Sequence, residues 1–359
     1  MTEPSPTSGR RRSDRARSAR SVRIVARANK VGVDRDITLL GEALSAWGPE
    51  PVFSGYRSIS PLRRVVGRPD PSETLVFLER VTARWLRHAG RYVLVPNQER
   101  YPRRLVGLLE RVDHVFCKSR HAEEVFRRFH GSVHYLGFTS PDRRDPEVAP
   151  DYDRFFHLAG GSALKGTGTL LEVWRAHPEW PTLTLLQHRR ADLPDSVPEN
   201  VELIDRYLPD EELRRLQNRC GVHLCPSLSE GWGHYIGEAL SCGAVTVVTD
   251  GPPMNELVGP DRGVLVGWHR SEPRKLGTNY HVDPEELEAA VGGLLARSTE
   301  EKARLGRAAR SWFEENDARV RARPHLLRLG GAPAGRRRAG ERGVGERRQQ
   351  QLRQPLQEP

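Results

Sequence analysis

Residues 222–250 read VHLCPSLSEGWGHYIGEALSCGAVTVVTD, and this stretch decides the fold. The run VHLCPS is strand-like, a loop with glycines at 231 and 233 follows, helical apolar spacing begins near Tyr235, and AVTVVTD resumes as a β-branched run. Strand, glycine loop, helix, strand is the unit of a parallel sheet covered by helices. Glu230 falls at the carboxyl end of the first strand and Glu238 in the first turns of the helix. Along one continuous helix eight residues would hold them roughly 12 Å apart. Divided between loop and helix, the two carboxylates converge on neighbouring parts of one extended ligand. Gly231 and Gly233 bring backbone close to that ligand, and amides at a helix start suit an anion such as phosphate.

The same unit recurs outward in both directions. Upstream, VRIVARA (22–28), EPVF, TLVFLE (74–79), RYVLVPN (91–97) and HVFCKS (114–119) read as strands. Helical runs at ITLLGEALSAWG, VTARWLRHA, RRLVGLLERV and HAEEVFRRF separate them. A proline-rich, charged break at SPDRRDPEVAPDYD (140–153) reads as a linker. After it come strands at RFFHLAG, TLTLLQH, NVELID, AVTVVTD and GVLVGW, with helices at TGTLLEVWRAH, PDEELRRLQNRC, PEELEAAVGGLLA and EEKARLGRAARSWFEEN. The expected fold class is α/β, two doubly wound domains facing across a cleft, with ligands at the carboxyl ends of the strands.

The charge of +10 is not spread evenly. Residues 1–30 hold nine Lys/Arg against two Asp/Glu and residues 321–359 ten against three, so 31–320 between them is net −4. The basic bias therefore belongs to two tails, 1–20 and 325–359, whose scarcity of apolar residues predicts disorder. The expected domains between them are 21–145 and 153–320. Arginine tails can hold anionic lipid, so weak contact with a membrane surface is an expectation, whereas nucleic acid is not an expected partner. No apolar run reaches the roughly 18 residues of a spanning helix, and none follows the N-terminal arginines as in a signal peptide. A cytoplasmic protein, at most peripheral to the inner face of the membrane, is expected. The four cysteines lie in apolar runs without a CxxC pair, which predicts buried reduced thiols.

A second anion device is GGSALKG (160–166), a glycine loop between strand and helix that ends in Lys165. It lacks the GxxxxGK[ST] spacing of an ATPase loop, so Lys165 reads as a point charge on a diphosphate. With EGWGHYIGE (230–238) and the following ALSCGAVTVVTDGPPMNELV, it resembles the retaining family 4 glycosyltransferases of the GT-B fold, built of two Rossmann-like domains. The resemblance covers about 154–268. It implies that Glu230 contacts the transferred sugar, Glu238 the ribose hydroxyls and Lys165 the diphosphate. Gly161, Ser162, Gly231, Gly233, His234, Tyr235 and Arg206 would complete the donor site, and Asn255 and Glu256 would lie at the next strand's loop. It also implies a nucleotide-sugar donor as co-substrate with no further cofactor, and transfer with retention to an acceptor that is a glycan, a lipid-linked sugar or a small molecule. One departure stands out: Ser162 lies where relatives commonly carry an arginine, which leaves Arg189, Arg190 or Arg206 to substitute.

The first domain would supply the acceptor wall from its strand ends, at Asn29, Gly32, Glu79, Asn97, Glu99 and Lys118. PNQE (96–99) stands where many relatives have an HD-type loop. Two DxD triplets, 34–36 and 151–153, read as a helix opening and a linker rather than metal ligands, and no metal is expected. Two rival readings remain open on the sequence. One is a nucleotide-sugar epimerase or sugar phosphorylase on the same fold; the other is a non-enzymatic, tail-driven binder of membrane or nucleic acid.

Overall fold

A computed structural model describes residues 21–28, 32–46, 50–59, 69–188 and 196–322. The first sheet is formed by β1 (Ser21–Ala26), β2 (Val52–Gly55), β3 (Asp70–Glu79), β4 (Ala89–Pro96), β5 (His114–Cys117) and β6 (Val133–Tyr135), in the order β2-β1-β3-β4-β5-β6. The second holds β7 (Asp151–Gly160), β8 (Leu183–Gln187), β9 (Val201–Ile204), β10 (Cys220–Cys225), β11 (Val245–Thr249) and β12 (Gly263–Val266), in the order β12-β11-β10-β7-β8-β9. Pairing is parallel throughout both sheets. Strand order reverses between β1 and β3 in the first and between β7 and β10 in the second, the points where such sheets open a crevice for ligands. Both loops singled out in the sequence leave the second of these points.

The intervening helices are α1 (Gly32–Ser45), α2 (Arg120–Arg127), α3 (Thr167–Ala176), α4 (Asp210–Arg219), α5 (His234–Cys242), α6 (Met254–Leu257), α7 (Pro284–Leu295) and α8 (Thr299–Arg321). Ser298 and Glu301 close a capping box at the start of α8, satisfying amides that the helix itself cannot.

Each sheet buries its own core, around Phe77, Leu94 and Phe126 in the first lobe and around Leu170, Leu185 and Val247 in the second. A third apolar cluster spans both, joining Ile24, Val76 and Val93 to Trp232, Ile236, Leu240 and Met254. At about 25 cal/mol per Å² of apolar surface, a shared core of this kind holds the lobes together far more firmly than rim ion pairs do.

Local departures from the sequence reading have identifiable causes. The run VTARWLRHA yields only a three-residue 3₁₀ turn, Ala83–Trp85, because β4 already begins at Ala89. There Gly90 lies against the Pro71 backbone, with space for no side chain. RRLVGLLERV winds as a 3₁₀ helix, Arg103–Arg111, rather than an α-helix. The stretch 140–150 is no free tether. Arg143 is buried and donates to Gln217 (2.9 Å) and to both Asp210 carboxylate oxygens (2.9 Å each). A hairpin, β13 (Trp268–Arg274) with β14 (Gly277–Val282), follows β12 where the sequence suggested a direct passage to α7. Its tip reaches the first lobe, where Leu276 N–H donates to the Gln98 carbonyl (3.2 Å). The four cysteines are free and buried.

Candidate functional site

A cleft of about 890 Å³ opens between the lobes at the carboxyl ends of β1, β3 and β4 on one side and β7, β8 and β10 on the other. Its second-lobe wall is built from the two glycine loops. Gly166 adopts φ +72°, and a Cβ there would stand 2.2 Å from the Pro226 carbonyl oxygen, so only glycine lets the Lys165 loop close onto the end of β10. That approach brings Lys165 Nζ to 2.5 Å from Glu230 Oε1 and 3.5 Å above the Tyr235 ring. Ser227 Oγ donates to the same Glu230 oxygen at 2.6 Å and shares a 2.6 Å hydrogen bond with the Tyr235 hydroxyl. Burial first, then the neighbouring Cys225 and Glu230, raises the Tyr235 phenol well above its ordinary value, so it stays protonated. Gly233 at φ +98° turns the chain into α5, whose first residues face the cleft.

Gly161 and Ser162 line the same wall. Glu238 lies one helical turn further in: it is completely buried, does not line the cleft, and accepts from Gln217 Nε2 at 3.0 Å. Its other oxygen lies 2.9 Å from Arg35 Nη1 of the first lobe, within ion-pair distance but outside hydrogen-bonding alignment. Arg206 points to solvent, paired with Glu212 at 2.9 Å, and does not reach the cleft. Arg189 and Arg190 lie outside the described residues. Asn255 donates to Asp250 (2.9 Å), while Glu256 accepts from the Arg120 and His121 amides (2.7 and 2.8 Å), capping α2 across the lobe boundary. Neither lines the cleft.

On the first-lobe wall, Gly32 opens α1 beside His234, 3.8 Å from where its Cβ would stand. Asn29 falls outside the described residues. Lys118 is buried and bound to Asp36 at 2.5 Å, and the other oxygen of Asp36 meets His234 Nε2 at 2.9 Å. Burial pushes the Asp36 carboxyl up, but the Lys118 charge and the His234 contacts outweigh it and hold the group below its usual range. Glu79 and Glu99 flank Arg100 at 3.8 and 3.6 Å. Burial raises both, Glu99 to about 7. Glu79 sits at φ +61°, a strained backbone for a residue other than glycine and of the kind that collects at working sites. Asn97 Oδ1 and Glu99 Oε2 are buried and accept no hydrogen bond from the described residues. Gln98 instead crosses to the second lobe and donates to the Glu230 carbonyl at 2.8 Å.

Several residues that the sequence reading did not assign to the site belong to it: Arg35 and Asp36, weighed there only within a DxD triplet, Ser227, Gln98 and the pair His188–Tyr207. His188 and Tyr207 stack at 3.9 Å beyond the ends of β8 and β9, and Tyr207 stays 76% exposed at the cleft edge. An aromatic run-out just past a strand end was the available signal for Tyr207; the only local mark on Arg35 and Asp36 is the DxD triplet, which does not point to their partners on α5, some 200 residues away. Three of the four DxD aspartates are otherwise engaged, Asp36 as above, Asp151 with Arg154 (3.0 Å) and Asp153 with Lys302 (2.7 Å), while Asp34 lines the cleft. Among the described residues no three His, Cys, Asp or Glu side chains gather as a ligand set for a metal. Among the same residues no helix is long and apolar enough to cross a membrane.

Residues 196–312 match the family described as Glycosyl transferases group 1. No curated protein sequence is significantly similar to the chain. Among solved structures it is similar to Anabaena HepE in complex with UDP (15% identity, 86% of this chain and 99% of that one, TM-score 0.63). It is similar also to sucrose-phosphate synthase from Thermosynechococcus elongatus (15%, 86% and 98%, TM-score 0.62). The pneumococcal O-GlcNAc transferase GtfA, in complex with UDP and GlcNAc, matches over 74% of this chain at 12% identity and a TM-score of 0.54; the match spans only 58% of GtfA. Two parallel six-stranded sheets that open a shared cleft at their switch points, with the family's own match lying in the second lobe, lead to one assignment. The chain has the GT-B fold, and residues 196–312 of its second lobe match the group 1 glycosyltransferases.

Proposed function

We propose that the chain transfers a sugar from a nucleotide-diphosphate donor to an acceptor hydroxyl, without a metal ion and with retention at the anomeric carbon. The observation that carries this reading is the Lys165–Glu230–Ser227 cluster at the β7/β10 switch point, beside the start of α5 and open to the cleft. A lysine and helix-start amides suit a diphosphate, and a carboxylate fixed by two donors suits the hydroxyls of a sugar. The UDP bound by HepE and by GtfA supports a nucleotide donor on this architecture.

In the proposed reaction the bond from the anomeric carbon to the β-phosphate oxygen breaks, and its electron pair leaves with the phosphate. The acceptor oxygen bonds to the same face of the carbon, and its proton passes to the departing phosphate oxygen. Lys165 exchanges Glu230 for that phosphate, which is worth on the order of 3 kcal/mol of transition-state stabilisation if other oxyanion donors are a guide. Glu230 holds the sugar, keeping the Ser227 hydrogen bond when Lys165 turns to the phosphate, and no covalent bond to it enters the reaction. The His188–Tyr207 stack would face the nucleobase, and Glu79, Asn97 and Glu99 the acceptor. The test is sugar transfer from UDP-, GDP- and ADP-sugars to a panel of glycans, lipid-linked sugars and small alcohols, with the product anomer read by NMR. Release of nucleotide diphosphate that depends on Lys165 and Glu230, with a retained anomer, is the expected result. An epimerised donor without transfer, or an inverted product, would contradict it.

A further inference from the structure

We propose that Arg35, a side chain of the first lobe, is the cation that meets the leaving diphosphate, in the role that Ser162 leaves open. This rests on the donor reading above. The cleft offers few alternatives among the described residues. Lys118 is tied to Asp36, Arg100 stands between Glu79 and Glu99 on the acceptor wall, and Arg206 is paired with Glu212 outside the cleft. Arg321 lies at the far end of α8 against Asp317 and Glu42.

Arg35 differs from these in position and in the quality of its contact. It lies in the first turn of α1, whose opening residue Gly32 borders His234 at the start of α5. The two helix starts thus face each other across the cleft, joined by Asp36–His234 and Arg35–Glu238, each 2.9 Å. The Arg35 side chain is 27% exposed and lines the cleft, whereas Glu238 is sealed and does not. Arg35 therefore stands between Glu238 and any ligand. Its ion pair lacks hydrogen-bond alignment, and Glu238 keeps Gln217 when Arg35 leaves. A ribose hydroxyl that donates to Glu238 displaces the guanidinium, and the nearest anion then on offer is the diphosphate at the start of α5. The planar fork of arginine suits two phosphate oxygens at once.

Calorimetric titration with matched nucleoside mono- and diphosphates of uridine, guanosine and adenosine tests this. The wild-type protein should bind one diphosphate about tenfold or more tighter than its monophosphate, as expected for an added charge-assisted contact. Arg35→Gln should bring that ratio to about two or less, tightening the monophosphate, whose ribose no longer has a guanidinium to displace, without an equal gain for the diphosphate, and with kcat falling about a hundredfold. Arg35→Lys, which keeps the charge but loses the fork, should retain part of the ratio. If Arg35→Gln keeps the full ratio, or tightens both nucleotides equally, Arg35 is only a plug on Glu238 and the assignment falls. If the wild-type protein binds no nucleotide of any base, the donor reading falls first and this inference with it.

Discussion

Gln98 of the first lobe donates its side-chain N–H to the backbone carbonyl of Glu230 in the second, at 2.8 Å, and so fixes the loop on which the Glu230 carboxylate stands. The PNQE segment therefore does more than wall the cleft. It aims Glu230 from across the cleft.

Replacing Gln98 with Ala should leave the carbonyl of Glu230 without this donor, at a cost of about 1 kcal/mol in stability. Turnover should fall more steeply, about tenfold, because a small displacement of a positioned group is expensive in the transition state. Denaturant unfolding and steady-state kinetics on the same preparation separate the two effects. Equal losses would mean that the contact is structural only.

Gly231 faces Asn97 so closely that a Cβ would stand 2.5 Å from Asn97 Cγ. Gly231→Ala should destabilise the protein by about 1–3 kcal/mol through overpacking. The double variant with Asn97→Ala should recover most of that loss. A double-mutant cycle with no coupling would contradict the proposed cause.

Burial raises Glu99 from 4.5 to about 7. Between those values the folded chain keeps a proton that the unfolded chain has released. The contribution of Glu99 to stability is thus complete below pH 4.5 and declines as pH rises towards 7, by about 3 kcal/mol at most. Glu99→Gln, which cannot ionise, should flatten the melting temperature across this window. An unchanged slope would show that other groups set it.

Glu256 caps the first two amides of α2 from the opposite lobe, with contacts at 2.7 and 2.8 Å. Its loss as Glu256→Ala should cost about 1–2 kcal/mol, the usual worth of a helix cap. Because the residue is outside the cleft, donor affinity should hold while the unfolding midpoint drops.

The second sheet, five of the six strands of the first and the two glycine loops were legible in the sequence because their signals are local, whereas β6, only three residues long, went unread. The run 222–250 carries its strand, glycines and helix within 29 consecutive residues, and GGSALKG does the same in seven. Arg35 and Asp36 were illegible as site residues for the opposite reason. Each acquires its meaning from a partner on α5 that only the closing of one lobe on the other brings near. Arg206 looked equivalent to a cleft arginine by its place just beyond β9, yet its guanidinium turns outward to Glu212. The missing helix at VTARWLRHA is a tertiary override of local pattern, imposed by the early start of β4 at Ala89. The β13–β14 hairpin hid behind charged residues, since most of β13 is exposed and offers little alternation to read.

The most direct test of the central claim is a thermal-shift comparison of the wild-type protein with Lys165→Ala and Glu230→Ala against UDP-, GDP- and ADP-sugars. The account predicts that one nucleotide series stabilises the wild-type protein and that Lys165→Ala abolishes most of the shift. Glu230→Ala should keep the response to the free nucleotide and lose the added response to its sugar. Stabilisation by none of the three, or equal stabilisation of all three proteins, would contradict it.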